Sequence, residues 1–180
     1  MQISWYDASL RDGMVELVRA VAELGGAVGW LEVPSEDEVH KWLASVPPAR
    51  MAVATDGSTV LASGIWCANG PGVLERMGRI SKVMTHPLAR RTGAARAVMQ
   101  QLIADARAEG IEVLTLDCRG NNHGAQRMYA SLGFRVTGRH PDALAIGDER
   151  WDQVLMHLDL RQGPDGLVRH GSRREGAGLT

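Results

Sequence analysis

The stretch Val83-Met-Thr-His-Pro-Leu-Ala-Arg-Arg-Thr-Gly-Ala-Ala-Arg-Ala-Val-Met-Gln-Gln-Leu-Ile-Ala-Asp-Ala106 decides the fold of this 180-residue chain. It predicts a strand, a basic loop that contains glycine, and then a helix. Pro87 ends the strand because its ring removes a hydrogen-bond donor and favours a turn. Gly93 opens the helix, whose apolar residues fall on a single stripe. The stripe consists of Ala94, Val98, Leu102 and Ala106.

The start of this helix is a candidate anion site. Backbone N–H groups in a first helical turn have no partner within the helix, and the helix dipole places positive charge at the same end. Arg90, Arg91 and Arg96 add guanidinium groups, whose geometry suits phosphate. The stretch therefore predicts a pyrophosphate-binding loop and a cofactor that carries a nucleotide. A basic loop before an ordinary helix is the competing interpretation.

Composition limits the class of protein. A chain of 180 residues with 44% hydrophobic residues is large enough to bury one core, and we expect a single domain over residues 1–160. The tail over 161–180 is rich in glycine and arginine, and we expect it to be disordered. A formal net charge of -1 argues against a general nucleic-acid binder. With no apolar run of membrane-spanning length and no signal peptide, we expect a cytoplasmic protein without a membrane partner.

The two cysteines, Cys67 and Cys118, form neither a metal-ligand pair nor a disulfide framework. Such cysteine usage is typical of a reduced compartment. No cluster of histidine, cysteine or carboxylate residues has ligand spacing, so no metal is expected.

Two helices are predicted before the long strands. Ser9 is a candidate cap for the first, and Gly25-Gly26 ends it. Ser35 and Glu38 form a capping box that begins the second, and Pro47-Pro48 ends it.

Seven strands are predicted around the helices. They cover residues 1–7, 51–55, 59–67, 73–85, 111–118, 134–138 and 151–160. Asp56-Gly57 is a strong hairpin signal between the second and the third. The fourth strand, the helix of the opening stretch and the fifth strand form a right-handed parallel crossover. The last two strands flank an irregular span that contains Pro141.

A second motif, Asn122-x-x-Ala125-x-x-x-Tyr129-x-x-Leu132-Gly133-Phe134, lies downstream on a predicted amphipathic helix. This motif and the loop over 90–95 resemble, in order and spacing, the two signatures of the GNAT superfamily of acyl-CoA-dependent N-acyltransferases. The loop lacks the second glycines of a dinucleotide fingerprint and the Gly-Lys-Ser/Thr of a P-loop. The resemblance implies an α/β (α+β) fold: a mixed, mostly antiparallel seven-stranded sheet with a central splayed parallel strand pair and about four helices.

The same resemblance implies acetyl-CoA as the cofactor. Its pantetheine arm would pair with the backbone of Val83, Met84 and Thr85 in the split of the sheet, as an added strand does. Asn122 matches a residue that commonly binds this arm, and Tyr129 matches the residue beside the thioester sulfur. The residues implied to hold the pyrophosphate are Arg90, Arg91, Thr92, Gly93, Ala94, Ala95 and Arg96.

In the chemistry that the resemblance implies, a neutral amine attacks the acetyl carbonyl directly, and Tyr129 donates a proton to the leaving thiolate. A core aromatic is the competing interpretation of Tyr129, which lies on the apolar stripe of its helix. Many family members carry a glutamate base on the strand before the loop, where this chain has Ser81 and no carboxylate. Glu75 and Asp117 remain as candidate bases acting through water, and a solvated or structural role competes for each.

Substrate selection is expected between the N-terminal helices and the closing strands. Trp30 is a candidate wall of the acceptor pocket or a core residue, and Glu32 is a candidate for attracting a cationic amine or for satisfying a helix dipole. The resulting prediction is acetyl transfer in a ternary complex to the primary amine of a small molecule: an antibiotic, an amino-acid-like compound or a polyamine. The alternatives are acetylation of a protein N-terminus or lysine, and a non-catalytic acyl-CoA-binding regulatory protein. A homodimer is a further expectation.

Overall fold

The computed structural model describes residues 1–25, 29–47 and 50–161. Seven strands form one sheet in the order β1-β2-β3-β4-β5-β7-β6. The strands are β1 (Gln2–Trp5), β2 (Met51–Asp56), β3 (Thr59–Ala68), β4 (Met77–Thr85), β5 (Val113–Arg119), β6 (Arg135–Ile146) and β7 (Glu149–Asp159). The helices in the described ranges are α1 (Arg11–Ala22), α2 (Glu36–Ser45), α3 (Ala94–Ala108) and α4 (His123–Ser131). Only the β4–β5 pair is parallel, which confirms the predicted fold class.

Two hydrophobic clusters hold helices on opposite faces of the sheet. On one face, α3 and α4 pack on the sheet, and the predicted stripe of α3 is fully buried there. On the other face, α1 and α2 pack through a second cluster that includes Met14, Leu17 and Leu43. The central strands of the sheet therefore lie between two helical layers.

The sheet opens between β4 and β5. These strands pair at three positions, from Met77 with Val113 to Arg79 with Thr115. Beyond this point β4 continues to pair only with β3, and β5 pairs with β7 as far as Arg119. A bulge in β4 accompanies the separation, since Lys82 has a positive φ of 52° and the register with β3 shifts there. The splayed parallel pair is as predicted.

The fourth strand begins later than predicted. Residues 73–76 form turns rather than strand, in which the N–H groups of Glu75 and Met77 donate to the carbonyls of Gly72 and Leu74. These local bonds satisfy the backbone that a ladder would otherwise pair. Glu75 consequently lies in the turn before β4 and is exposed, so its predicted position on the strand is wrong.

The two closing strands are longer than predicted and form a hairpin. β6 runs through Pro141 to Ile146, and its register with β7 shifts between His140 and Leu144. Proline is tolerated here because β6 is the edge of the sheet and the shift relieves proline of a ladder bond. The expected irregular span is thus a bulged edge strand.

The N-terminal helices are largely as predicted. The capping box is present, with the Ser35 N–H and hydroxyl both 2.8 Å from a Glu38 carboxylate oxygen. The first helix differs, because no side chain caps it and Leu10 stands at its N-cap position. The Asp7 carboxylate instead accepts from the Ser9 N–H at 2.8 Å and caps a short 3₁₀ turn before α1. Gly26, Pro48 and the predicted disordered tail beyond Arg161 lie outside the described residues. No described helix has the length and apolar character needed to cross a membrane.

Candidate active site

Two cavities meet in the gap between β4 and β5. The small cavity, of about 380 Å³, lies among β4, β5, the segment after α1 and the β6–β7 hairpin. The large cavity, of about 780 Å³, lies beside the N-terminus of α3 and reaches α4. Four residues line both cavities, which marks where they join. These residues are Val83, Arg119, Asn122 and Tyr129.

The large cavity carries only positive side-chain charge among the described residues that line it. Its arginines are Arg90, Arg91, Arg96, Arg119 and Arg127. Arginine forks suit the oxygens of phosphate, so this cavity can hold a polyphosphate. Arg127 and Asn121 also line it and were not predicted.

The N-terminus of α3 supplies backbone donors to the large cavity. Gly93 caps the helix in a left-handed conformation with φ of 89° and has no side chain to occupy the first-turn N–H groups. A Cβ at Gly93 would meet nothing within 4 Å, so the backbone angle rather than crowding favours glycine. The predicted loop residues line the cavity except Thr92, whose hydroxyl donates to the Ala89 carbonyl at 2.7 Å. Thr92 thus stabilises the loop through a hydrogen bond inside it.

The backbone of β4 borders the large cavity where the strand separates from β5. Val83, Met84 and Thr85, the residues predicted to pair with a pantetheine arm, all line it. On this side β4 pairs with no strand beyond Arg79, so an extended ligand can add to it there.

Tyr129 lies at the junction of the two cavities with 5% of its surface exposed. It projects from α4, and its ring centre is 6.1 Å from that of Phe134. Burial, with smaller contributions from Cys118 and Asp117, raises the pKa of Tyr129 above its usual range. The phenol therefore keeps its proton at neutral pH and can act as a hydrogen-bond donor. Its two interpretations, core aromatic and site residue, both describe the observed position.

Asn122 has a structural contact as well as a place in both cavities. Its side-chain oxygen accepts from the Ala125 N–H at 3.1 Å and so caps α4. This cap orients the helix that carries Tyr129.

The candidate bases are placed differently from one another. Ser81 and Asp117 line the small cavity, whereas Glu75 lines neither cavity. The Asp117 carboxylate accepts from Arg79 at 2.5 Å and from the Gln153 side chain at 2.9 Å. Among the described residues that line the small cavity, Asp117 is the only carboxylate, and it already forms an ion pair with Arg79.

The two residues predicted to contact the acceptor, Trp30 and Glu32, also lie in different places. Trp30 lines the small cavity and packs edge-on against Trp42, with ring centres 5.2 Å apart, so it serves both as a wall and as part of the second hydrophobic cluster. Glu32 is exposed and lines neither cavity. A role for Glu32 in attracting the acceptor therefore has no support in its position.

The sequence interpretation missed four polar side chains of the small cavity: Arg79, Lys82, Cys118 and Arg119. Lys82 lies with Nζ 4.4 Å from the centre of the Trp30 ring, and burial lowers its pKa. Burial, followed by the charge of Asp117, raises the pKa of Cys118 to about 11. Arg119 could have been found from the sequence, because it lies just before the second motif. The bulge at Lys82 has no sequence signature, so Lys82 could not.

Arg119 has an unusual set of contacts. Its guanidinium lies 4.6 Å from the centre of the Trp151 ring and donates to the Gly25 carbonyl at 3.3 Å. Its Nε is buried and has no hydrogen-bond acceptor among the described residues. Across the same residues, no group of three histidine, cysteine or carboxylate side chains could hold a metal ion.

Comparison with known proteins identifies a family that the chain matches. The acetyltransferase (GNAT) family profile matches residues 14–134. A ribosomal protein bS18-alanine N-acetyltransferase of Escherichia coli K12 is 30% identical over 78 residues, which cover 43% of this chain and 53% of that protein. An L-methionine sulfoximine/L-methionine sulfone acetyltransferase of Salmonella typhimurium is 33% identical over 79 residues, covering 43% of this chain and 46% of that protein. The chain thus spans about half the length of these curated relatives.

Solved structures share the whole fold. A protein of Salmonella typhimurium, solved with its cofactor acetyl-CoA, superposes with a TM-score of 0.75 at 22% identity. The superposition covers 89% of this chain and 94% of that one. This chain therefore has the same fold as that protein.

Proposed function

The chain belongs to the acetyltransferase (GNAT) family, and on this premise we propose that it transfers the acetyl group of acetyl-CoA to the primary amine of a small molecule. The observation that carries the proposal is the meeting of two cavities at Tyr129, one cationic and open to a polyphosphate, the other small and walled. Such a junction brings a thioester and an amine together in one geometry, which supplies much of the rate of a two-substrate reaction.

The residues present fit acetyl-CoA. The first-turn N–H groups of α3 and the surrounding arginines suit the pyrophosphate, and the free side of β4 over 83–85 suits the amides of the pantetheine arm. An arm of this kind would direct the thioester towards the junction of the cavities. When bound, acetyl-CoA supplies an activated carbonyl, whose C–S bond breaks as the amine nitrogen forms the new C–N bond.

Tyr129 donates a hydrogen bond to the departing sulfur in this proposal. Its raised pKa makes complete proton transfer to a thiolate unfavourable, since the pKa of a thiol is ordinarily below that of a phenol. Stabilising the sulfur by hydrogen bonding is therefore its main contribution. The ring also separates the junction from the core beneath α4.

The amine must lose a proton before it attacks. Lys82 and Arg119 place positive charge around the small cavity, whereas Arg79 is paired with Asp117. Nearby positive charge lowers the pKa of an amine. The amine therefore has less need of a carboxylate base. This agrees with the hydrogen bonds that the Asp117 carboxylate already accepts from Arg79 and Gln153. The proton leaves to solvent through the open side of the cavity.

The walls of the small cavity favour a small molecule over a peptide. Leu144, Ala145 and Ile146 of β6 and the segment Gly29-Trp30-Leu31 both line it. A peptide would need a groove that continues past these walls. A second candidate, acetylation of a protein N-terminus, is favoured by the similarity to the bS18-alanine acetyltransferase.

The test is a transfer assay that measures release of coenzyme A thiol, with acetyl-CoA and a panel of small primary amines and short peptides. Turnover with small amines is expected. Turnover with peptides alone would establish the second candidate instead. Binding of acetyl-CoA without turnover on any acceptor would contradict both and indicate a non-catalytic acyl-CoA-binding protein.

A further inference from the structure

The small cavity is positively charged. Its described lining includes the cations Arg79, Lys82 and Arg119 and one carboxylate, Asp117. Arg79 and Asp117 form an ion pair and offset each other. The other two cations of the described lining are Lys82 and Arg119.

Both cations lie on the face of the sheet that α1 and α2 cover. Side chains alternate along β5, where Leu114 and Leu116 join the cluster beneath α3, so Asp117 and Arg119 project to the other face. Arg119 contacts the Gly25 carbonyl just after α1, and Lys82 contacts Trp30 on the same side. The positive charge is thus placed on the acceptor side of the junction.

Arg119 retains donor capacity for a ligand. Among the described residues no carboxylate lies within 4.0 Å of its guanidinium. A guanidinium carries five N–H donors, and one of them donates to the Gly25 carbonyl, so donors remain for a ligand oxygen. An anionic oxygen satisfies both the donor and the charge.

We propose that the acceptor carries a carboxylate beside its amine, as an amino acid does, and that Arg119 receives this carboxylate in the small cavity. This inference rests on the proposed acetyl transfer and narrows its substrate class. A cavity of about 380 Å³ is near the lower end of ligand cavities and suits an acceptor of amino-acid size. The apolar side chains of Trp30, Leu144 and Ile146 form walls for the remaining part of such a molecule. A polyamine would meet like charge instead.

Arg119 lines both cavities, so a contact with the pantetheine arm is the competing role. The two roles predict different kinetics. A carboxylate contact changes kcat/KM only for acceptors that carry a carboxylate. A pantetheine contact changes the KM for acetyl-CoA and affects every acceptor equally.

The experiment compares matched pairs of acceptors that differ only by the carboxylate. One pair is L-methionine sulfone and 3-(methylsulfonyl)propylamine, and another is L-leucine and 3-methylbutylamine. With the wild-type chain, kcat/KM is expected to be about ten- to a hundredfold higher for the amino acid of the preferred pair. Because this comparison uses no variant, it does not depend on whether a mutant folds.

The variants locate the effect. Arg119→Gln is expected to abolish the preference, because it lowers kcat/KM for the amino acid at least tenfold more than kcat/KM for the matched amine. Arg119→Lys is expected to restore part of the preference, since it keeps the charge but not the guanidinium geometry. Arg76→Gln is the control, because it removes the same charge from an exposed ion pair with Glu112 outside both cavities.

The outcomes separate this inference from the proposed function. Acetylation of amines without any preference for the carboxylate would overturn the inference and leave acetyl transfer intact. An equal loss on all acceptors with a raised KM for acetyl-CoA in Arg119→Gln would assign Arg119 to the cofactor and also overturn it. No transfer to any amine would overturn both.

Discussion

At the scale of single residues, Tyr129 connects the packing of the protein with its proposed chemistry. The ring is buried beneath α4 and packs with the first hydrophobic cluster, while the residue lines both cavities. Burial raises its pKa, so the phenol is a hydrogen-bond donor across the neutral and mildly alkaline range. A packing role and a chemical role therefore depend on the same side chain, and they can be separated by removing only the hydroxyl.

Tyr129→Phe keeps the ring and removes the donor. We expect kcat to fall about tenfold to a hundredfold, at or below the low end for a lost acid–base group, because the hydroxyl acts mainly through a hydrogen bond. The Kd for acetyl-CoA is expected to change little. Steady-state kinetics and calorimetry on this variant make the measurement.

The control is Tyr6→Phe. Tyr6 is also buried, at 8% exposure, but it packs in the second cluster and lines neither cavity. A Tyr129→Phe variant whose kcat matches that of Tyr6→Phe would remove Tyr129 from the mechanism.

The two cysteines give a prediction on pH. Burial raises the pKa of Cys118 to about 11, so its reactive thiolate forms only at strongly alkaline pH, whereas Cys67 is exposed. At pH 8 we expect iodoacetamide to alkylate Cys118 at least tenfold more slowly than Cys67, and the Cys118 rate to rise steadily towards pH 9. Mass spectrometry of the two peptides over time gives both rates. Equal rates at pH 8 would contradict the assigned environment of Cys118.

Sequence could identify some of these residues and not others. Gly93, Asn122 and Tyr129 belong to local motifs whose spacing is complete in the chain, so they were predicted. Lys82 and Arg119 acquire their place from a bulge in β4 and from a contact with the carbonyl after α1. Such tertiary contacts leave no local pattern, and the charge of the small cavity was therefore not predicted.

At the scale of elements, the N-terminus of α3 is the feature on which cofactor binding depends. Gly93→Asp is expected to weaken coenzyme A binding at least tenfold, because it places negative charge against the phosphates as well as straining a positive φ. Isothermal titration with coenzyme A gives the Kd.

Gly110→Asp is the matched control for this change. Gly110 follows the other end of α3, has a similar positive φ of 79°, and likewise has nothing within 4 Å of a Cβ. It should suffer comparable strain and keep its affinity. If both variants lose affinity equally, strain rather than charge explains the loss, and the phosphate position is wrong.

The capping box of α2 gives a prediction on stability. Ser35→Ala is expected to lower the free energy of unfolding by about 1 kcal/mol at pH 7, the usual value of an N-cap hydroxyl. The backbone and hydroxyl of Ser35 lower the pKa of Glu38 in the folded protein, so this part of the stability is present above the unfolded pKa and is lost as pH falls through the folded one. The difference between wild type and variant should therefore shrink from pH 7 to pH 3.

Urea unfolding at both pH values measures this difference. Ser45→Ala, at the other end of α2, removes a hydroxyl that donates to the Trp42 carbonyl and should show no such change with pH. A Ser35→Ala effect that is constant or larger at pH 3 would contradict the coupling with Glu38.

Elements were predictable where their signals were local. The capping box of Ser35 and the hairpin at Asp56-Gly57 both form as predicted. The path of β6 through Pro141 was not predictable, because it depends on pairing with β7 at the sheet edge. The start of β4 was misplaced for a similar reason, since apolar Val73 and Leu74 suggest a strand that no neighbour pairs.

At the scale of the whole molecule, the sheet creates the site by giving β4 and β5 different partners. Each strand keeps one neighbour, and the edges that face the gap are free to meet an extended ligand. The fold class followed from two motifs on the right elements, but the overall charge of -1 gave no sign of two locally cationic cavities. Composition averages over the surface, whereas a cavity selects a few side chains from distant parts of the chain.

The central claim is that the gap holds a thioester between a pyrophosphate at α3 and an amine beside β4. A crystal structure of the chain with acetyl-CoA tests it most directly. The account predicts pyrophosphate oxygens within hydrogen-bond distance of the N–H groups that follow Gly93, and the acetyl group at the junction beside Tyr129. A cofactor bound elsewhere, or a gap that stays closed to saturating acetyl-CoA, would contradict it.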